Sequence, residues 1–380
     1  MTIKGMAQNT VIFNIILSLL VINFSSALGY HLISQASITI LLVINIGLVI
    51  TTLFKKIKID IIFLILLGLT MVYVFFQIIG ISSYPDYTRL FIRVFQLVGL
   101  ICLYLNTTFL YNLSIIKVDI YKLLNFSVLA LLYFSLFSPS YIQNVALLSD
   151  VSFAFVAMNF LMYIHKKIKF IYIILFLPLV ILGGGRTHLI SLVIFVLIYK
   201  NWGRFTKNKL TYVALFSGLL FVAYTTSVLY PSLIYNPFFL DLNIKFNQYT
   251  GENFFSGRQV IWANILENVK DDRMFGLGSD ITSQMLNNLN LSAHNQYLEI
   301  YAQSGIVGLV IFVTIIFMIW AIHYKYKSSK YSRFNIAFLS SLMVMGITSV
   351  CLYQTNMALA SIFWFVLGLG TNNALNDKGP

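Results

Sequence analysis

Charged residues are scarce in this sequence. Aspartate, glutamate, lysine and arginine make up 10% of its 380 residues, whereas 59% are hydrophobic and 16% are aromatic. Soluble domains carry about 25% charged residues, so the composition excludes an ordinary water-soluble fold. Apolar runs near about 20 residues recur along the chain, and such a run crosses about 30 Å of hydrocarbon as a helix. The sequence therefore predicts a polytopic membrane protein.

Regular alternation of polar and apolar residues is absent from these runs. A membrane-spanning chain must satisfy its own backbone hydrogen bonds, which leaves helices or a closed barrel, and barrel strands would alternate. We therefore expect an all-α fold in which residues 1–380 form a single integral membrane domain. About twelve transmembrane helices are predicted, over residues 9–28, 34–54, 59–81, 90–111, 120–138, 144–164, 168–183, 187–200, 209–228, 297–322, 334–353 and 357–372.

The start of the chain lacks the basic region of a signal peptide. Only Lys4 precedes the first apolar run, and further spans follow it. An uncleaved membrane anchor is expected.

Several kinds of chemical site are also missing. Cys102 and Cys351 both lie within predicted spans, so a disulfide framework is not expected. No histidine or cysteine cluster has metal-ligand spacing, no phosphate-binding G-x-x-x-x-G-K-[ST] loop occurs, and no serine nucleophile elbow stands out. Any chemistry is expected to need neither metal nor cofactor and to use arginine and histidine.

Basic clusters set the expected orientation. With the N-terminus in the cytoplasm and alternating spans, the clusters all fall inside, as the positive-inside rule requires. The net charge of +13 is then topological, and a nucleic-acid partner is not expected because no basic domain exists to hold one. The clusters are 55-KKIK-58, 165-HKKIK-169, 200-KNWGRFTKNK-209 and 323-HYKYKSSKYSR-333.

Arginine does not follow the distribution of lysine. Topology gives no reason to place arginine outside while lysine stays inside, and the planar guanidinium group suits bidentate binding of phosphate or carboxylate. We infer that the outer face binds an anion. The expected outer cations are Arg89, Arg93, Arg186, Arg258, Arg273, Lys245 and Lys270, which leaves Arg204 and Arg333 as inner arginines.

One long connection, residues 229–296, is expected on the outer, periplasmic side. Connections of this length are usually functional. Within 256-SGRQVIWANILENV-269, Ser256 can cap a helix whose apolar residues recur at helical spacing on one face. An amphipathic helix resting on the membrane or on the helix bundle is predicted.

Arg186 follows Gly183, Gly184 and Gly185 between two apolar segments. Glycines permit close backbone approach, and free N–H groups there can form an anion nest. The alternative is a flexible turn whose arginine reaches lipid headgroups. Arg258 begins the amphipathic helix, where N-terminal N–H groups also favour an anion, although a headgroup contact is the simpler role.

Arg89 and Arg93 are four residues apart and therefore lie on one helical face. Charges within a bilayer usually face the interior or a polar cavity. An ion pair with Asp86 is the alternative for Arg89, whereas Arg93 has no local partner.

His294 precedes Asn295 at the mouth of the tenth span. With a reference pKa of about 6.5, the histidine is largely neutral at pH 7 and can accept a proton. The alternative is a hydrogen-bonded structural histidine. Asn295 and His188 are expected to support the site, with a lipid-interface role as the alternative for His188.

Four motifs in order carry a resemblance to a known family. The segments GGGRTHLISL, SGRQVIWANIL, FGLGS and SAHNQYLEIYAQSGIVG, spread over roughly residues 180–320, resemble the C-terminal signature of the O-antigen polymerase and O-antigen ligase superfamily. The flanking spans match only in hydropathy and number.

The resemblance implies a bacterial inner-membrane glycosyltransferase of the GT-C type. Such an enzyme takes a glycan from an undecaprenyl-diphosphate carrier on the periplasmic side, without a metal ion or other cofactor. Arg186 and Arg258 would then bind the donor diphosphate, and His294 would act at the acceptor hydroxyl. Arg89 and Arg93 lie outside the motifs and are assigned to the diphosphate by their charge alone.

Three activities remain open at this point. The form of residues 256–262 and the abundance of Ile, Asn, Lys and Phe favour a polymerase of O-antigen or capsular repeat units, for which a chain-length regulator would be a partner. A ligase would instead transfer the glycan to the lipid A core. A lipid-linked glycan flippase is the third alternative, but transporters tend to show internal repeats, and none is found.

Overall fold

The computed structural model describes residues 31–54, 61–79, 86–109, 121–122, 125–126, 128–129, 132–133, 145–182, 186–233, 236–250, 258–286, 291–353 and 357–377. Regular structure in these residues is helical throughout, so the all-α prediction is confirmed for them. The main helices are α1 (His31–Phe54), α2 (Ile61–Ile79), α3 (Tyr87–Phe109), α4 (Val145–Ile164), α5 (Ile171–Leu182), α6 (Arg186–Lys200), α7 (Lys209–Tyr224), α8 (Pro237–Thr250), α9 (Arg258–Asn268), α10 (Gln296–Lys325), α11 (Lys330–Met345) and α12 (Met357–Asn376).

The predicted spans correspond closely to these helices. Span 9–28 lies outside the described residues and span 120–138 is described only in part, but every other span overlaps one helix. In the described part of the chain, three helices are long and apolar enough to cross a membrane alone. They are Tyr87–Phe109, Lys209–Ser232 and Gln296–Lys325. The expected number of twelve crossings is therefore not confirmed.

The two last helices form the centre of the bundle. Almost every described side chain of α11 and α12 is buried, and these helices pack on one another and on α3, α4 and α6. Large side chains fill the space between them; for example, the rings of Phe338 and Phe363 lie 5.6 Å apart in an edge-to-face arrangement.

The outer surface of the bundle is apolar. Phe75 on α2, Val193 on α6 and Phe221 on α7 are 59%, 56% and 65% exposed. Buried positions include many polar side chains, among them Asn45, Asn106 and Asn335. In water this distribution would leave large apolar patches exposed, whereas in a bilayer the patches face hydrocarbon. The surface indicates a multi-pass membrane protein.

In its described residues, the connection between α7 and α10 contains two helices of more than ten residues, α8 and α9, where the sequence predicted one. α9 begins at Arg258 and buries Ile261, Trp262 and Ile265 against the bundle, on the face that the sequence pattern predicts. Its expected cap, Ser256, lies outside the described residues. α8 was not predicted from the sequence; its side chains are largely exposed, including Tyr249 at 89%.

A glycine-rich loop before the tenth predicted span is inserted into a break in α10. At Gly305 the backbone leaves the helical conformation, with φ at 62°. The loop forms hydrogen bonds with backbone groups of α10 at this break. Leu277 N donates to Ala302 O at 2.8 Å, and Ile306 N donates to Arg273 O at 2.9 Å. Two of the four motifs, FGLGS and AQSGIVG, therefore meet as a single structural unit.

Replacing Gly305 with alanine is expected to destabilise this unit strongly. An added Cβ would lie 2.4 Å from the carbonyl group of Met274, and φ of +62° is unfavourable for any residue with a Cβ. With ψ at −160°, the residue lies in a backbone region that is essentially limited to glycine, and this conformation alone costs roughly 1–3 kcal/mol. Thermal unfolding in detergent should show a clear fall in Tm.

Gly218→Ala is the matched control for this substitution. Gly218 lies inside α7, and a Cβ there would meet no atom within 4 Å. Alanine in a helix is favoured over glycine by about 1 kcal/mol, so Tm should hold or rise. Equal Tm values for the two variants would contradict the close approach at Gly305.

Candidate functional site

Arg258 and the start of α6 meet at one turn of the chain. Arg258 is half-buried at the first position of α9, and its Nη1 donates to the carbonyl oxygen of Thr348 at 3.2 Å. The Thr348 hydroxyl donates to the hydroxyl of Thr187 at 2.6 Å. Thr187 directly follows Arg186 in the sequence, so the backbone of Arg186 lies close to the turn that Arg258 contacts.

Arg186 itself is the first residue of α6. Its side chain and the three glycines before it lie outside the described parts of the structure. The first turn of a helix presents N–H groups that are not used within the helix, and such groups favour an anion. Both arginines of the motifs therefore start helices near Thr348, and the contact of the Arg186 side chain with a ligand stays a prediction.

His294 lies in a short extended segment before α10, in an unusual backbone conformation. Its φ is +48°, which is rare for a residue other than glycine. The two neighbours are held tightly, because Ala293 N donates to Ser283 Oγ at 2.9 Å and Ala293 O accepts from Trp262 Nε1 at 2.8 Å. Such strain is maintained only where surrounding contacts determine it, and it is concentrated at functional sites.

Asn295 fixes the other side of His294. Its side-chain oxygen accepts from the N–H groups of Tyr297 and Leu298, both at 3.0 Å, and so caps α10. Its amide nitrogen donates to Ser227 Oγ at 3.0 Å. Ser227 belongs to a π-helical turn, Thr225–Leu229, and such turns are frequent at functional sites. Asn295 thus supports the position of His294 rather than standing free to bind a ligand.

The imidazole of His294 is exposed but lies in a mixed electrostatic environment. Desolvation by surrounding protein atoms lowers its pKa below the ordinary 6.5, the positive charge of Arg258 lowers the pKa further, and the negative charge of Asp150 opposes both. A lowered pKa leaves His294 neutral at pH 7, which is the form that accepts a proton. The segment that carries His294 contacts both α9 and the turn before Thr348, because Ala293 O accepts from Trp262 Nε1 and Gln296 N donates to Gly346 O at 2.7 Å.

Arg258 is partly withdrawn from solvent. Burial lowers its pKa, partly opposed by Tyr230, yet a guanidinium group is so basic that it stays charged. A half-buried cation interacts with an anion more strongly than an exposed one, because less water screens the pair.

His188 is buried and bound to an acid. Its Nε2 lies 2.5 Å from Asp150 Oδ1, and both residues are more than 90% buried. Phe153 packs edge-on against the imidazole ring at 6.2 Å. The lipid-interface alternative for His188 does not agree with this burial.

Arg89 and Arg93 bind a different part of the molecule. Arg93 Nη1 donates to the carbonyl oxygens of Ser279 and Ile281, the latter at 2.8 Å, and Arg89 Nη1 donates to Asp280 O at 3.0 Å. The ion pair with Asp86, the alternative to an anion site for Arg89, is present at 3.6 Å. No hydrogen bond or ion pair between described side chains joins either arginine to Arg258 or His294.

Sequence reasoning missed Asp150, Thr348 and Ser283. The available signal for Asp150 was an acidic residue inside an apolar span, which by default marks a functional position. Thr348 and Ser283 contribute through contacts with residues far away in the sequence, and nothing in their neighbourhood distinguishes them. Glu299 carried the same signal as Asp150, since it is an acidic residue inside the predicted span 297–322; it is buried and accepts from Ser283 N at 3.3 Å.

Metal ligands do not cluster in the part of the chain that the structure describes. No group of three or more histidine, cysteine, aspartate or glutamate side chains there is arranged to hold a metal ion.

Comparison with known proteins identifies part of the chain. Residues 171–313 match the family model described as O-antigen ligase. This segment includes Arg186, His188, Arg258, His294 and Asn295, whereas Arg89, Arg93, Asp150 and Thr348 lie outside it. The superfamily resemblance seen in the sequence is thereby confirmed. A search of curated proteins found no match.

Proposed function

We propose that this protein, whose residues 171–313 carry the O-antigen ligase domain, polymerises lipid-linked oligosaccharide repeat units at the outer face of a bacterial inner membrane. The donor would be an undecaprenyl-diphosphate-linked glycan, and the acceptor a second lipid-linked unit. The observation that carries the proposal is that Arg258 and the start of α6 meet at the turn around Thr348, and that Gln296, two residues after His294, donates to Gly346 O of the same turn at 2.7 Å.

The arginines would act on the leaving group. When the bond between the anomeric carbon and the diphosphate oxygen breaks, negative charge develops on the diphosphate. Arg258, together with Arg186, would stabilise that charge by bidentate hydrogen bonds that are already oriented before reaction. Because the cations stabilise the transition state more than the ground state, they would raise the rate of transfer and not only the affinity.

His294 would act on the nucleophile. The acceptor hydroxyl oxygen forms the new bond to the anomeric carbon while its proton passes to the neutral imidazole. The lipid diphosphate leaves from the opposite face, so direct attack inverts the anomeric configuration. The proposed reaction thus balances without a metal ion: the proton is held on His294 and the negative charge leaves with the carrier.

Arg89 and Arg93 have a less direct place in this proposal. Their assignment to the diphosphate stays a prediction, but their guanidinium groups already bind the carbonyl oxygens of residues 279–281. We place them as supports of the loop that also carries Ser283, and Ser283 in turn holds the backbone next to His294.

The choice of polymerase over ligase rests on the sequence of residues 256–262 and on composition, because the matched family does not separate the two. In both activities the donor site would be the same, and only the acceptor differs. The distinction must therefore come from the acceptor that the purified protein uses.

Purified protein in nanodiscs is expected to lengthen a lipid-linked repeat unit supplied as the only substrate. Products should form a ladder on gel electrophoresis, without an ion gradient, and EDTA should leave the rate unchanged. Transfer that occurs only after lipid A core is added would assign the ligase activity. Movement of the lipid-linked unit across a liposome bilayer without any lengthening would instead support the flippase.

A further inference from the structure

A buried acid–histidine pair, Asp150 with His188, adjoins the proposed site. Asp150 lies near the start of α4, and His188 lies in the first turn of α6, two residues after Arg186. A hydrogen bond of 2.5 Å joins Nε2 of His188 to Oδ1 of Asp150. His188 Nδ1 is buried without a hydrogen-bond partner in the described residues. The polar contact that orients this ring is therefore the one with Asp150.

The position of the pair is fixed relative to the anion site. Thr187, between Arg186 and His188, accepts from the Thr348 hydroxyl, and the carbonyl oxygen of Thr348 accepts from Arg258. Two neighbouring residues in the first turn of α6 thus make different contacts. Thr187 bonds to Thr348, which also binds Arg258, and His188 bonds to Asp150. A pair whose only role was to hold α4 against α6 could lie anywhere along these helices. This pair lies close to the N-termini of α6 and α9, which begin with Arg186 and Arg258.

The charge of Asp150 also reaches His294. Gln296 N, two residues after His294, donates to Gly346 O at 2.7 Å, in the turn whose Thr348 bonds to Thr187 beside His188. Burial lowers the pKa of His294, the positive charge of Arg258 lowers it further, and the negative charge of Asp150 raises it. During the proposed transfer His294 gains a proton and becomes positive beside Arg258. Two neighbouring cations repel one another, and a buried carboxylate of opposite charge offsets this repulsion.

We propose that Asp150, oriented by His188, is a positioning residue that stabilises the protonated imidazole of His294 during glycosyl transfer. This inference rests on the proposed function and assigns roles that the matched family segment cannot supply for Asp150, which lies before residue 171. Asp150 itself takes up no proton in the reaction. His188 orients the carboxylate of Asp150 and therefore affects His294 only through Asp150.

The test compares Asp150→Asn with the parent. Asparagine keeps the size of the side chain and an oxygen that can accept from His188, but it removes the charge. Turnover of the lipid-linked donor is expected to fall at least about 10-fold, a part of the about 10²–10⁴-fold that general base catalysis contributes. KM for the donor should stay unchanged, and the acidic limb of the pH–rate profile should move to lower pH.

Matched variants separate this role from a structural one. Asp241→Asn removes an exposed carboxylate that pairs with Lys245 on α8, and it should leave both turnover and pH profile unchanged. His188→Gln keeps an N–H donor for Asp150 and should retain more turnover than His188→Leu. A fall in turnover for Asp150→Asn without any shift of the acidic limb would overturn the inference.

A titration without substrate distinguishes failure of this inference from failure of the proposed function. The sequence has 5 histidines, so ¹⁵N-histidine NMR spectra are simple, and His294→Gln assigns the signal. Asp150→Asn should lower the midpoint at which His294 titrates. An unchanged midpoint would refute the role of Asp150 even in an active enzyme, whereas a lowered midpoint in a protein without transferase activity would refute only the function.

Discussion

Arg258→Ala is expected to abolish glycan extension. The guanidinium group is half-buried and bound to Thr348 O, and its loss would remove the cation that we propose faces the leaving diphosphate. Removing one preorganised donor of this kind typically costs about 10²–10³-fold in kcat. Arg258→Lys should also be poor, because one ammonium cannot reproduce two parallel hydrogen bonds. Chain growth from a purified lipid-linked donor measures both effects.

Arg273 supplies the control. It is an exposed arginine in the same connection between α7 and α10, so Arg273→Lys and Arg273→Ala make the same chemical changes away from the site. Both control variants should extend glycan at near the parental rate. If Arg258→Lys were as active as Arg273→Lys, Arg258 would contribute only general positive charge and the bidentate role would be wrong. Arg186→Ala is expected to match Arg258→Ala.

The helices, including α9 in the motif SGRQVIWANIL, could be predicted from the sequence because each depends on the pattern of neighbouring residues. A continuous apolar run specifies a buried or lipid-facing helix wherever it occurs, and the spacing of Ile261, Trp262 and Ile265 specifies one face of a helix. The motif order placed Arg258 and His294 at the same expected face. In the structure the residue before His294 bonds to Trp262, on the helix that Arg258 begins. A shared site for Arg258 and His294, and the outer orientation of that face, stay predictions.

Contacts between distant segments could not be predicted in the same way. Asp150 meets His188 across 38 positions, and Thr348 meets Thr187 across 161 positions. Neither pair produces any pattern in its own neighbourhood, since a single polar residue in an apolar run has many possible partners. The same reason explains why Arg93 was assigned to an anion: its partners, Ser279 O and Ile281 O, are backbone atoms of a remote loop.

The family motifs also proved to have two different physical roles. FGLGS and the glycine of AQSGIVG allow the loop and α10 to approach closely, as the positions of Gly276 and Gly305 show. The start of SAHNQ instead holds the titratable His294 in a backbone conformation with φ of +48°. A short motif in a sequence does not separate close packing from chemistry, because both require unusual backbone conformations.

The second large effect is expected at His294, and it tests chemistry rather than binding. His294→Ala should leave donor affinity nearly intact, because Arg258 and the start of α6 would hold the diphosphate. Turnover should fall by about 10²–10⁴-fold, the usual contribution of a positioned general base. Because the pKa of His294 is lowered below 6.5, the neutral base persists to lower pH, and the acidic limb of the parental pH–rate profile should lie below 6.5.

His294→Gln distinguishes a base from a residue that only orients the acceptor sugar. Glutamine keeps a hydrogen-bond donor and acceptor but takes up no proton, so a catalytic base predicts both low turnover and loss of the acidic limb. Retained turnover with an unchanged pH profile would rule the base out. Asp150 is the neighbouring carboxylate that could substitute for it. If His294→Ala kept substantial turnover and the added Asp150→Asn substitution then removed it, the proton acceptor would be Asp150. His294 would then only orient the acceptor sugar.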